Sequence, residues 1–323
     1  MFVRESGEGV PVLFVHGNLS DGAVWREQLA LLPAGLRGIA PDLRGFGRGG
    51  PAPVDATRGV GDFTDDLVGL LDDLGLDAVH LVGHSLGGGV VMDLASRRPG
   101  RALTITLVAP VSPYGYGGTR LDGTPCTPDF AGSGGGTANT GLVRLIGAGD
   151  RSDADPLSPR NVVRTLFFPT PEAVRDEDTL MEGILGARLG DDHYPGDSTP
   201  SPHWPGMAPG TRGVLNAISP RHFGWSGFPE AGCRAPLLWV HGDRDAIVSD
   251  TAMTDIGHLG ALGYVPGWPG EELFPAQPMV RQTRDVLARC PQAREHLMPG
   301  AGHFPYTERP EEFAALLHAH LAG

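Results

Sequence analysis

The sequence predicts an α/β protein: a mostly parallel sheet of about seven strands with helices on both faces. Two observations carry that prediction. Short β-branched or leucine-rich runs alternate along the chain with helical patterns, as in sheets covered on both sides. In addition, the apolar run Ala78-Val79-His80-Leu81-Val82 passes through Gly83-His84-Ser85-Leu86-Gly87 directly into helix-like sequence, a sharp strand-to-helix junction.

In chain order, strands are expected at 2–6, 10–15, 38–41, 78–83 and 102–109, then at 237–241 and 295–299. Helices are expected at 24–32, 60–74 and 86–98, then at 279–289 and 310–322. The middle differs. From about 111 to 232 the strand signals stop and glycine and proline accumulate, as in Gly132-Ser133-Gly134-Gly135-Gly136. Helical sequence survives there, notably at 171–189. This stretch is expected to be an inserted, largely helical cap (111–232) that divides the core into 1–110 and 233–323. A second irregular stretch, 249–277, follows the strand at 237–241. Loops of this length in a compact domain are lids, binding loops or disordered segments. Their aromatic content favours order. Trp204, Trp225 and Trp268 are candidate substrate contacts that either line an apolar pocket or pack the cap.

The 323 residues carry a formal net charge of −13, which argues against nucleic acid and anionic membrane surfaces as partners. All 25 basic residues are arginine, so Schiff-base and lysine-base mechanisms are closed to this chain. Cys126, Cys233 and Cys290 are far apart and odd in number, which suggests neither a disulfide framework nor a zinc site. With no signal-peptide pattern and no long apolar run, a soluble cytoplasmic protein is expected. Oligomeric state is not readable from the sequence.

A serine hydroxyl attacks a carbonyl only with a base within reach and a group orienting that base. Ser85 sits at the junction. Asp245 follows the strand at 237–241 in Gly242-Asp243-Arg244-Asp245, and His303 follows the last strand in Gly300-Ala301-Gly302-His303. Both fall at carboxyl ends of strands, where open α/β sheets build their sites. Ser85 could instead be a capping serine and His303 a surface histidine, and Asp243 and Asp250 compete with Asp245. Asp42 and Arg44 are expected to tie down a loop, and His16 and His84 to serve as scaffold. His193, His203 and His222, with Asp191 and Asp192, match no metal-ligand spacing, so no metal is expected.

These motifs, with His16-Gly17-Asn18, Trp25, Pro41-Asp42-Leu43-Arg44-Gly45-Phe46-Gly47 and Ala246-Ile247-Val248, resemble the α/β-hydrolase superfamily over 10–110 and 233–323. The resemblance implies that the family's first strand is missing. It also implies a Ser85–Asp245–His303 triad and an oxyanion hole formed by the backbone N–H groups of Asn18 and Leu86. Serine at the elbow disfavours the haloalkane dehalogenase and epoxide hydrolase branches. Leu86 stands where proline iminopeptidases carry tryptophan, and Asn18-Leu19-Ser20-Asp21-Gly22 differs from the glycine-proline stretch usual in ring-cleavage C–C hydrolases. The expectation is therefore a cofactor-free esterase or lactonase acting on a small-molecule ester or lactone. The long cap favours a bulky apolar substrate, such as a macrolide-type lactone. Amide, thioester or C–C cleavage on the same triad, or ligand sensing with little turnover, remain alternatives.

Overall fold

Residues 1–323 are all described by a computed structural model. The seven expected strands all form and make one sheet. They are β1 (Val3–Gly7), β2 (Gly9–Val15), β3 (Gly35–Pro41), β4 (Val79–His84), β5 (Ala102–Val108), β6 (Leu237–Gly242) and β7 (Ala293–Met298). Their spatial order is β1-β3-β2-β4-β5-β6-β7. Only β1 runs antiparallel, pairing Val3 with Pro41. The rest are parallel, with Val12 opposite His80 and Leu237 opposite both Ile105 and Ala293. β4 and β6 are buried along their whole length, which is why they read as unbroken apolar runs rather than as alternating strands.

The five expected helices are present as α1 (Arg26–Leu31), α2 (Gly61–Asp73), α3 (Leu86–Arg97), α9 (Met279–Leu287) and α11 (Pro310–Leu321). Between them lie α4 (Thr140–Gly147), α5 (Pro159–Val162), α6 (Glu177–Leu185), α7 (Val214–Ala217), α8 (Ile256–Ala261) and α10 (Pro305–Glu308). α3 packs on β4 and against α2, while α1 and α11 pack together. No helix is long and apolar enough to cross a membrane.

Residues 109–236 leave the sheet between β5 and β6. Three features of this insertion differ from expectation. First, the helix expected at 171–189 is broken: a 3-10 turn at Pro171–Ala173 ends before Asp176, whose side chain accepts from Thr179 N–H and starts α6 afresh. Second, strands do occur, in two small ribbons, Leu189–Gly190 with Tyr194–Pro195 and Ser198–Pro200 with Met207–Pro209. Strands of two or three residues have no detectable period, and tertiary contacts hold them in place. The fully buried Asn216 amide accepts from Gly135 and Gly210 N–H and donates to Asp197 and Arg212 oxygens. Third, the helices are short and joined by irregular chain, so the insertion is mixed rather than largely helical. It does not carry a core of its own. Phe167, Met181, Ile218 and Trp225 belong to the same continuous apolar core as Val12, Leu81 and Trp239.

The second stretch, 249–277, and the adjoining α9 are fastened to the insertion through buried amides. Gln277 donates to Gly115 O (3.0 Å) and accepts from Gly117 N–H (2.6 Å), and Gln282 accepts from Ser112 Oγ (2.6 Å) and donates to Thr119 Oγ1 (3.0 Å). Both glutamines are fully buried, and their partners make that burial tolerable.

Candidate active site

β4 ends at His84 and α3 begins at Leu86, so one residue, Ser85, makes the whole turn. Its backbone lies at φ 54°, ψ −118°, a sparsely populated region that costs about 1–3 kcal/mol. The surroundings hold it there: Ser85 N–H donates to Val108 O (3.0 Å), and Ser85 O accepts from Gly88 (3.0 Å) and Val111 N–H (3.1 Å). A Cβ at Gly83 would lie 2.4 Å from Gly87 O, and one at Gly87 would lie 2.4 Å from Val15 O. Both obstacles are backbone, so no side chain fits at either position. Strain gathers at this edge of the sheet: Leu19, Ser85 and Ala109, just beyond β2, β4 and β5, are three of four non-glycine residues with positive φ.

Asp245 and His303 come together from the loops after β6 and β7. His303 Nδ1–H donates to Asp245 Oδ2 over 2.8 Å, and both side chains are almost wholly buried. The other carboxylate oxygen accepts from Ile247 (2.7 Å) and Val248 N–H (2.9 Å). The acid is thus fully hydrogen-bonded, and the imidazole lone pair is left on Nε2. The competing carboxylates are engaged elsewhere. Asp243 accepts from Gly300 N–H (2.6 Å), and Asp250 accepts from Val280 and Arg281 N–H at the start of α9. No hydrogen bond joins Ser85 Oγ to His303 Nε2 in this structure; such contacts commonly tighten only with substrate bound.

The loop carrying His303 is held by His84, expected as scaffold, and by Tyr306, Glu308 and Phe167, which sequence reasoning did not single out. His84 Nε2 lies 2.9 Å from the His303 carbonyl, which can only accept, so Nε2 carries the proton. Tyr306 OH then donates to Nδ1 over 3.2 Å. Burial, aided by the neighbouring His303, pushes the His84 pKa well below the usual histidine value and keeps the ring neutral. Tyr306 stacks on Trp25 at 4.0 Å. Glu308 accepts Gly302 N–H on both oxygens (2.9 and 3.0 Å), and burial raises its pKa. From the insertion, Phe167 O accepts His303 N–H (3.1 Å), and Phe167 and Phe168 stack on Phe304. Nothing in the sequence pattern marks Phe167 or Glu308. Tyr306 had only its nearness to His303 to recommend it.

Gly17 approaches Ser85, since a Cβ on it would stand 3.0 Å from Ser85 Cβ. That places the loop after β2 beside the elbow. The N–H groups of Asn18 and Leu86 make no hydrogen bond within the protein, Leu86 because it opens α3. The Asn18 Oδ1 atom is buried and also without a partner. His16 fixes this loop, donating from Nδ1 to Gly17 O (2.8 Å) and accepting Leu43 N–H on Nε2 (2.9 Å). Asp42 accepts from Gly22 (2.8 Å) and Arg48 N–H (2.9 Å), and Arg44 grips Asp66 with two bonds (2.6 and 2.7 Å). These three residues serve the scaffold, as His84 does.

Residues 10–125 match the family model described as alpha/beta hydrolase fold. Among curated proteins, a non-heme chloroperoxidase of Kitasatospora aureofaciens is 41% identical over 115 residues, 35% of this chain and 41% of that protein. An epoxide hydrolase of Siraitia grosvenorii is 44% identical over 102 residues, 31% of this chain and 32% of that one. The chain thus matches less than half the length of either relative. Among solved structures, bromoperoxidase from Bacillus anthracis superposes with a TM-score of 0.63 at 22% identity, covering 99% of this chain and 95% of that one. An esterase from Exiguobacterium antarcticum gives 0.62 at 18% identity, covering 100% and 95%. This chain has the α/β-hydrolase fold.

Within that α/β-hydrolase fold the three candidate tryptophans sit apart in role. Trp225 is buried in the core and donates to Val111 O (2.9 Å). Trp204 donates to Pro266 O (2.8 Å) and packs edge-on to Phe274, and Trp268 donates to Phe274 O (2.9 Å). Trp204 and Trp268 therefore fill the seam between the insertion and 249–277. Of the cap histidines, His222 bonds Gly210 O (2.8 Å), and no three His, Cys, Asp or Glu side chains stand close enough to hold a metal ion. A cavity of about 570 Å3 is lined by none of Ser85, Asp245 and His303.

Proposed function

We propose that the chain is a serine hydrolase that cleaves a carboxylic ester or lactone through an acyl-enzyme. The observation that carries this reading is the buried His303–Asp245 pair, 2.8 Å apart, with a strained serine at a strand-to-helix turn whose preceding residue, His84, bonds the His303 carbonyl. In this reading Ser85 Oγ attacks the carbonyl while His303 Nε2 takes its proton. Asp245 holds Nδ1–H and stabilises the imidazolium that forms. The free N–H groups of Asn18 and Leu86 receive the developing oxyanion, and Leu86 adds the positive end of the α3 dipole. Oxyanion donors of this kind are worth about 3–4 kcal/mol each. His303 then protonates the leaving alkoxide and activates the water that releases the acid.

Substrate size rests on the two insertions, which together argue for a bulky apolar acyl or alcohol group, macrocyclic lactones included. The cap is proposed to be 111–232, and the protein to act in the cytoplasm. The test is steady-state hydrolysis of esters running from short p-nitrophenyl esters to macrocyclic lactones, with Ser85→Ala alongside. Turnover that vanishes in Ser85→Ala supports the reading. Folded wild-type protein that turns over no ester sinks it, and moves weight to amide or C–C bond cleavage or to ligand sensing.

A further inference from the structure

A cavity lies where the insertion meets the loops that carry Asp245 and His303. Phe168, Pro169 and Ala173 line it from the insertion, Arg244 and Ala246 come from either side of Asp245, and Glu308 lies behind the base loop. Its volume of about 570 Å3 is that of a small-molecule site. It is separate from the elbow, because the buried Phe304 stacks on Phe168 on one side and packs tilted against His84 on the other.

The charges in its wall are unequally committed. Arg309 bonds Pro299 O and pairs with Glu312 at 3.4 Å. The Glu308 carboxylate is occupied by Gly302 N–H. Arg244 alone is exposed, and its guanidinium makes neither an ion pair nor a hydrogen bond although it borders the cavity. One open cation faces a mixed wall whose apolar part is Phe168, Pro169, Ala173 and Ala246. A planar guanidinium matches a carboxylate in two parallel hydrogen bonds. A dianion such as phosphate would meet the Glu308 carboxylate in the same wall, and like charges brought together across a contact are costly.

We propose that this cavity is a second small-molecule site, taking a monoanionic carboxylate with a short apolar tail. The carboxylate seats on Arg244, and the tail lies against Phe168, Pro169 and Ala173. Nothing in this depends on what Ser85 does, so the test uses Ser85→Ala protein, in which turnover cannot confuse binding. Hexanoate is titrated by calorimetry into that protein and into versions also carrying Arg244→Ala or Ala173→Phe, each checked for unchanged circular dichroism. One hexanoate should bind per chain, acetate and inorganic phosphate more weakly. Arg244→Ala should weaken hexanoate at least about tenfold, the loss expected for one charge-assisted hydrogen bond. Ala173→Phe, which fills the cavity, should do the same. Absence of binding, or binding indifferent to Arg244→Ala, overturns the proposal. Weakening by Arg244→Ala but not by Ala173→Phe places the anion on the outer surface and overturns it equally.

Discussion

Ser85 is held at φ 54°, where a side chain costs about 1–3 kcal/mol and glycine very little. Ser85→Gly should therefore stabilise the fold by about 1 kcal/mol net of glycine's unfolded-state entropy, read as a higher urea midpoint with unchanged slope. Loss of the hydroxyl should at the same time abolish ester turnover. The acid is tested by comparing two aspartates five residues apart. Asp245→Asn should lower kcat roughly 10^3–10^4-fold by disturbing the tautomer of His303, whereas Asp250→Asn, at the start of α9, should cost far less. The turn at Ser85 and the meeting of Asp245 with His303 were legible in the sequence because each residue sits in a short glycine-marked motif just past a strand. Tyr306 and Glu308 were not. Their importance comes from a hydrogen bond to His84 and one to Gly302, which no spacing encodes.

The strands were readable from the runs they bury: β4 and β6 are covered on both faces, and so appear as continuous apolar segments. The ribbons at 189–200 and 207–209 were unreadable because the buried Asn216 side chain, not a hydrophobic period, organises them. The elbow makes the sharpest demand on an element. Gly87 touches Val15 O and His16 O as closely as backbone permits, so Gly87→Ala must push α3 away from β2. The expected cost is roughly 3 kcal/mol or more, seen as loss of soluble protein or a steep fall in Tm. A neighbouring exposed glycine makes the control, since a Cβ at Gly69 in α2 meets nothing within 4 Å. There, Gly69→Ala should stabilise by roughly 0.5–1 kcal/mol.

Across the whole molecule, burial depresses several histidines at once, among them His16, His80, His84 and His241. Each is neutral in the folded protein, yet takes up a proton in the unfolded chain near pH 6.5. Below that pH the unfolded state binds more protons than the folded one, so their contribution, complete above about pH 6.5, is lost as pH falls. Tm should accordingly drop between about pH 7.5 and about pH 5, and His84→Asn should make that drop shallower by removing one depressed group. The tie from His84 to the His303 carbonyl has a consequence for how such a protein can be altered. Since residue 84 is joined covalently to Ser85, the pair acts as a gauge block, tying the position of Ser85 to that of the loop carrying His303 from inside the sheet. Loops that do not touch His303 can then be exchanged for foreign ones without changing that spacing, whereas the segment around Phe167, whose carbonyl holds the His303 N–H, has to be kept.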